Sequence, residues 1–317
     1  MTKLRKKLNK GLDRSRLQAR YHLHRSLTNG PSRRSLATER PALDAVQERL
    51  VDELRADGLA TASFDELVGD RALWQELSAE VDAFADEARR RVPPRGERAH
   101  EKEDYIIRGT ALSSQPIPPQ ASFLRYALSN RVLHVANAYL GLWSKLTYVD
   151  KWYTAPSPQE ADRVASQRWH RDPEDRNIVK VFTYFSEVDQ DAGALEYVRG
   201  SAAGGRHADL WPWRIGRGGR YPPAGELEQR VGESDRATAS GSVGTVVFVD
   251  TGGLHRGGFA TKPRITSIFT YTSPAVVPIE RARRKFAVAD GEGAALPDAA
   301  RFASADRRCP QRPPATS

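Results

Sequence analysis

The sequence predicts a mainly β fold, a β-sandwich or barrel with α-helices packed against its outside. The order of the elements predicts it first. Amphipathic helical patterns fill residues 41–141, whereas from residue 142 to about 280 the chain breaks into short β-rich runs separated by Gly, Pro and Asp clusters. Helices followed by strands read as a β core with a helical flank. The second observation is size: 317 residues with 39% hydrophobic content suffice for one large domain with a substantial core.

Taken in order, residues 1–40 form a basic arm. Twelve Lys and Arg stand against Asp13 and Glu39, a net +10, so the overall +9 leaves residues 41–317 at −1. Leu4, Leu8 and Leu12 recur at helical spacing, yet the apolar face is thin, so the arm is expected to be a solvated tail, disordered or helical. From Pro41, Leu43, Val46, Leu50, Val51 and Leu54 form one helical stripe that stops at Gly58. A second helix runs through "DRALWQELSAEVDAFADEARRR" to Pro93 and Pro94, and "HEKEDYIIRG" reads as a loop. "SFLRYALSNRVLHVANAYLG" predicts a third helix ending at Gly141. Strands follow at "SKLTYVDKWYT", "NIVKVFTYFSEV", "GALEYV", "GTVVFVD" and "RITSIFTYT". Residues 199–242 read as an irregular insertion of lid length, and 281–317 as a loose tail.

Several classes are excluded. The sequence holds no apolar run near the roughly 20 residues a membrane span needs, and no hydrophobic stretch follows the basic start as a signal peptide would require. Cys309 is the only cysteine, which rules out internal disulfides and thiolate metal clusters and makes a cytoplasmic compartment the default. Because the charge excess lies in the arm and not in the body, no DNA partner is expected. Peripheral membrane contact through residues 1–40 is the less favoured reading.

The stretch "SQRWHRDPEDR" sets His170 and Asp172 two positions apart. In an extended strand, residues i and i+2 share a face, so the imidazole and carboxylate converge. A third ligand candidate, His255, lies 83 residues beyond Asp172 and is flanked by the pairs Gly252/Gly253 and Gly257/Gly258. Paired glycines allow tight turns and close backbone approach. Two neutral imidazoles and one carboxylate form the facial triad of non-haem Fe(II) oxygenases, which leaves coordination positions open for a chelating cosubstrate and O2. Nine residues beyond His255 comes the strand "RITSIFTYT", where Arg264 and Thr266 share one face. A guanidinium beside a hydroxyl suits a carboxylate, such as the far end of 2-oxoglutarate. Lys180 interrupts an apolar run and either turns outward or faces a buried anion. Asp150 and Asp175 are candidates for orienting a ligand or Arg171.

These residues resemble the phytanoyl-CoA dioxygenase family of Fe(II)- and 2-oxoglutarate-dependent oxygenases. The resemblance covers roughly residues 43–275 and rests on "WHRDPEDR", "VKVFTYFSEVDQDAGALEYVRGS" and "DTGGLHRGG…KPRITSIFTY". It departs at Arg199, where the family usually has proline, and at Ala202, where it usually has histidine. The resemblance implies a double-stranded β-helix (jelly roll) over residues 142–280, within a single oxygenase domain spanning 41–280. It further implies His170, Asp172 and His255 as iron ligands and Arg264 as the 2-oxoglutarate arginine, with Thr266 and Lys180 assisting. The implied activity is hydroxylation of a small molecule with succinate and CO2 as coproducts, and ascorbate as an auxiliary reductant. Five arginines against Asp209 in residues 199–221 suggest an anionic or carrier-linked substrate. The competing reading is a non-catalytic binding or regulatory protein that uses its arm on membrane or nucleic acid.

Overall fold

The computed structural model describes residues 3–92, 105–109, 117–156, 163, 165–176, 178–213, 221–276 and 296–305. The chain opens with helix α1 (Lys3–Thr38) and continues with α2 (Ala45–Asp57), strand β1 (Leu59–Ser63), the short α3 (Phe64–Leu67) and α4 (Arg71–Arg91). Each start has a chemical cause. Asp44 and Gln47 form a reciprocal capping box on α2, Ser63 and Glu66 do the same for α3, and the Asp70 carboxylate accepts from the Leu73 amide at the head of α4. Gly58 ends α2 in the left-handed region at φ 82°, a conformation that costs glycine nothing.

The third expected helix is interrupted. Ser129 adopts extended backbone and divides it into α5 (Ser122–Leu128) and α6 (Asn130–Leu140). The Ser129 amide closes on Tyr126, while its carbonyl accepts from Val132 and Leu133, so one residue ends one helix and starts the next. Strand β2 (Ile106–Arg108), lying where a loop was expected, pairs with β3 (Lys145–Thr154). The remaining elements are β4 (Ile178–Tyr184), β5 (Leu195–Val198), α7 (Glu226–Arg230), β6 (Arg236–Ala239), β7 (Thr245–Val249), β8 (His255–Arg256), β9 (Arg264–Thr272) and α8 (Asp298–Ser304).

The strands form a six-stranded antiparallel sheet, β1-β7-β4-β9-β3-β2, and a three-stranded sheet, β6-β5-β8. From β4 onward the chain passes between them, with β5, β6 and β8 in the small sheet and β7 and β9 in the large one. This is a jelly roll, with two sheets that stay open rather than closing into a barrel. Period-two alternation explains its layers. Val179 and Val181 of β4, Val246 and Phe248 of β7, and Ile265 and Phe269 of β9 join the core beneath the helices. Phe182, Tyr184, Val247 and Val249 point the other way, into a second core facing the small sheet. Lys180, Arg264 and Thr266 share that inner side, and there they line a pocket.

Three expectations are corrected. Over residues 21–38 the arm is a docked helix, not a solvated tail. Tyr21, Arg25, Asn29 and Ser32 are buried on one stripe, with Ser32 donating to the Trp143 carbonyl and Asn29 accepting from the Ala275 amide. The expected insertion contains β6, which pairs with β5 over Leu195–Val198. Within the expected tail, α8 buries Ala300 and Ala303, and Phe302 and Ala305 accept from the Lys145 ammonium. The rest of that tail, and Arg214, Arg217 and Arg220, lie outside the described residues.

Candidate metal centre

His170 follows a 3-10 turn (Ala165–Gln167) and extends the small sheet by one isolated bridge. Its amide donates to the His255 carbonyl at 2.9 Å, and the His255 amide returns the bond at 3.0 Å. Two residues on, the Asp172 amide donates to Thr251 O at 2.8 Å. The segment carrying the first two candidate ligands is thus stitched to the turn carrying the third.

The glycines around His255 serve close packing. A Cβ at Gly253 would strike the Tyr197 ring, and one at Gly258 would lie 2.5 Å from Ala194 O and 2.6 Å from Gly193 C.

The side chains meet as the sequence expected. One donor atom from each of His170, Asp172 and His255 falls within 4.8 Å of the other two. His170 Nε2 lies 3.6 Å from Asp172 Oδ1, and His255 Nε2 lies 3.7 Å from Asp172 Oδ2. Each imidazole uses Nδ1 on a backbone carbonyl two residues earlier, Arg168 O at 2.7 Å and Gly253 O at 3.0 Å. A carbonyl only accepts, so in these contacts Nδ1 carries the proton, and Nε2 is the ring nitrogen that faces the centre. Burial, reinforced by His170, pushes the His255 ring down to about 3, so it is neutral at neutral pH. Burial opposes ionisation of Asp172, but Lys180, His255 and His170 outweigh it and hold the carboxyl below its usual range. Two imidazole donors and one buried carboxylate are a chemical fit for a divalent first-row metal.

The pocket around this cluster has an empty volume of about 750 Å³, including its mouth, and all six sequence-derived site residues line it. On the inner face of β9, Arg264 is followed by Thr266 and Ile268, opposite Phe182 and Tyr184 of β4. Arg264 Nη1 donates to Gly193 O, its Nε is buried without a hydrogen-bond partner, and no carboxylate among the described residues pairs with it. Burial lowers its pKa. A part-buried guanidinium with an unsatisfied Nε carries a desolvation cost, and a carboxylate ligand would relieve it.

Lys180 faces inward, but toward the candidate ligands: its ammonium stands 2.6 Å from Asp172 Oδ2 and 3.8 Å from Glu174 Oε1. Asp175 accepts from Tyr21 and from the Ser273 amide, while Asp150 accepts from Tyr148 and the Lys151 amide. Neither bonds a candidate ligand there. Arg199 pairs with Asp57 at 2.7 Å and Arg206 with Asp235 at 2.7 Å, so two of the five arginines counted toward an anionic substrate are already neutralised. His207 also pairs with Asp235, at 3.0 Å.

Sequence reasoning missed Tyr105, Trp152, Ser166 and Gln167 on the pocket wall. Trp213, within the expected insertion, donates its indole N–H to Asp172 O at 2.9 Å, a partner the sequence did not indicate. Alternation along β3 could have placed Trp152 on the inner face. The others come from irregular segments that carry no periodic signal.

Fold and site together define the class: a jelly-roll protein with a two-histidine, one-carboxylate cluster beside an arginine with which no carboxylate among the described residues pairs. No family model matches the chain, and no curated protein matches it. Among solved structures it is similar to the epimerase SnoN in complex with Fe3+, alpha-ketoglutarate and nogalamycin RO, at 17% identity over 73% of this chain and 84% of that one, TM-score 0.49. It is similar also to AviO1 from Streptomyces viridochromogenes Tue57 (19% identity, 75% and 99% covered, TM-score 0.48). The apo form of EctD from S. alaskensis gives 16% identity, 74% and 80% covered, and TM-score 0.48. At these identities and scores nothing about activity follows from them.

Proposed function

We propose that this chain is an Fe(II)- and 2-oxoglutarate-dependent oxygenase that hydroxylates a small molecule, releasing succinate and CO2. The observation that carries this reading is the sharing of one pocket by the His170–Asp172–His255 donors and the part-buried Arg264, whose Nε has no hydrogen-bond partner and with which no described carboxylate pairs. A site for metal alone has no use for the second feature. A site for metal plus a dicarboxylate needs both.

His170 and His255 would hold the metal through Nε2 and Asp172 through its carboxylate, and Arg264 with Thr266 would grip the far carboxylate of 2-oxoglutarate. Bound iron and cosubstrate supply the oxidising power for attack on an unactivated C–H bond. The protein's part is to orient both partners and to exclude water with the apolar wall of Phe182, Leu195 and Ile268. A carboxylate at position 172, where related halogenases have a small apolar residue, favours hydroxylation. The motifs resembling the phytanoyl-CoA dioxygenase family point the same way.

The test is incubation with Fe(II), 2-oxoglutarate, O2, ascorbate and a metabolite library, followed by mass spectrometry. Succinate that requires iron and O2, with a product heavier by one oxygen atom, is expected. No succinate above the Asp172→Ala control would end the proposal.

A further inference from the structure

Arg171 stands between two candidate ligands but, by strand alternation, points away from them. It is 3% exposed, and its guanidinium is surrounded by carbonyl oxygens. Nε donates to Trp211 O at 2.9 Å, Nη1 to Ser201 O and Gly252 O at 2.6 Å each, and Nη2 to Leu210 O at 2.8 Å with Ala208 O at 3.4 Å. These acceptors belong to two distant segments. Four lie on the loop 201–211, and the fifth lies in the turn that leads to His255. Trp213 then closes the circuit by donating to Asp172 O.

We propose that Arg171 is a positioning residue that couples the seating of loop 201–213 to the geometry of the metal ligands, so that loop and metal order each other. The inference rests on the metal-centre reading above. The ligands arrive on two segments remote in sequence, stitched through the backbone by the His170–His255 exchange, the Asp172–Thr251 bond and the bond from the Gly257 amide to Ser166 O. Arg171 adds a side-chain link between these same segments and extends it to the loop. A planar fork with five N–H donors can satisfy acceptors in three directions at once, whereas a lysine ammonium concentrates its three donors at one point. Coupling of this kind is reciprocal: whatever the seated loop adds to metal affinity, bound metal adds to the seating of the loop.

The experiment uses the full chain and Co(II) as probe, with two readouts: affinity from the visible Co(II) spectrum, and amide hydrogen exchange of residues 201–213 with and without metal. Wild type is expected to bind one Co(II) and to show slower exchange in the loop when loaded. Arg171→Lys is expected to bind roughly 10- to 100-fold more weakly and to lose metal-dependent protection. A residue that merely staples the loop would leave Co(II) affinity unchanged, and that result overturns the proposal while leaving the metal centre standing. If Arg171→Lys does not fold, Trp213→Phe replaces it: weaker affinity with lost protection supports the coupling, and wild-type affinity overturns it. Failure of the wild type to bind Co(II) would remove the metal centre and this proposal together.

Discussion

His170 and His255 exchange both of their backbone hydrogen bonds, at 2.9 and 3.0 Å, and their imidazole rings lie 4.2 Å apart. Directly opposed residues in an antiparallel pair share a face, so backbone pairing alone sets the spacing of the two rings. Ligand removal should therefore separate metal binding from folding. His170→Ala is expected to weaken Co(II) or Fe(II) binding by roughly 100-fold or more, while unfolding free energy in the absence of metal changes by about 1 kcal/mol or less. Metal titration paired with urea denaturation checks this, and a variant that keeps wild-type affinity would remove His170 from the centre.

Arg264 is part-buried, with a buried Nε that has no hydrogen-bond partner and no counter-ion among the described residues, so its replacement should move stability and cosubstrate binding in opposite directions. Arg264→Met is expected to stabilise the ligand-free protein and to raise the half-saturating 2-oxoglutarate concentration roughly 10- to 100-fold, the worth of a charge-assisted bond. Thermal unfolding with and without 2-oxoglutarate reads both effects. Equal 2-oxoglutarate dependence in variant and wild type would contradict the assignment.

Lys180 places its ammonium 2.6 Å from Asp172, where it competes with a metal for the same carboxylate. Lys180→Gln is expected to tighten metal binding by removing that competitor. Weaker binding would mean that the lysine organises the site instead of guarding it.

Part of this site was legible because Lys180, Arg264 and Thr266 sit on regular strands and His170 and Asp172 on an extended segment. His-x-Asp and Arg-x-Thr declare a shared face through period two, and the glycine pairs mark a turn where backbones approach closely. The helical flank was legible through caps and breakers, apart from the break at Ser129, which rests on a single residue's backbone angle. What was hidden depends on the path of the chain between elements. Inward-facing Lys180 could be foreseen, but its ion pair with Asp172 depends on how the chain turns back between the ligand segment and β4. The docked face of α1 was invisible for another reason. Tyr21, Arg25, Asn29 and Ser32 do recur at helical spacing, but they are polar, so no hydrophobic stripe announces them.

That docking has a measurable consequence. The Tyr21 ring packs 5.4 Å from Trp213 and its hydroxyl donates to Asp175, so residues 1–40 cannot be removed as an inert tail. Tyr21→Ala is expected to cost about 3 kcal/mol of stability by denaturant titration. A change within about 0.5 kcal/mol would mean that α1 does not hold the body in solution.

Asp250 supplies a pH signature away from the metal ligands. Burial raises its carboxyl to about 6, with Tyr139 and the Gly252 amide as its hydrogen-bond donors. Between the unfolded value near 3.8 and about 6, the folded protein holds a proton that the unfolded chain has released. Stability therefore falls as pH rises through this window and is level above it, by on the order of 2–3 kcal/mol. Asp250→Asn should flatten that slope when stability is measured at fixed intervals across the window. An unchanged slope would assign the proton elsewhere.

The most direct measurement is an anaerobic titration of metal-free protein with Fe(II), then with 2-oxoglutarate, followed by visible absorption. One iron per chain, and a charge-transfer band that appears only when both are present and is absent in Asp172→Ala, is the expected result. Iron that binds without stoichiometry, or a band that survives loss of Asp172, would contradict a shared centre built from His170, Asp172 and His255.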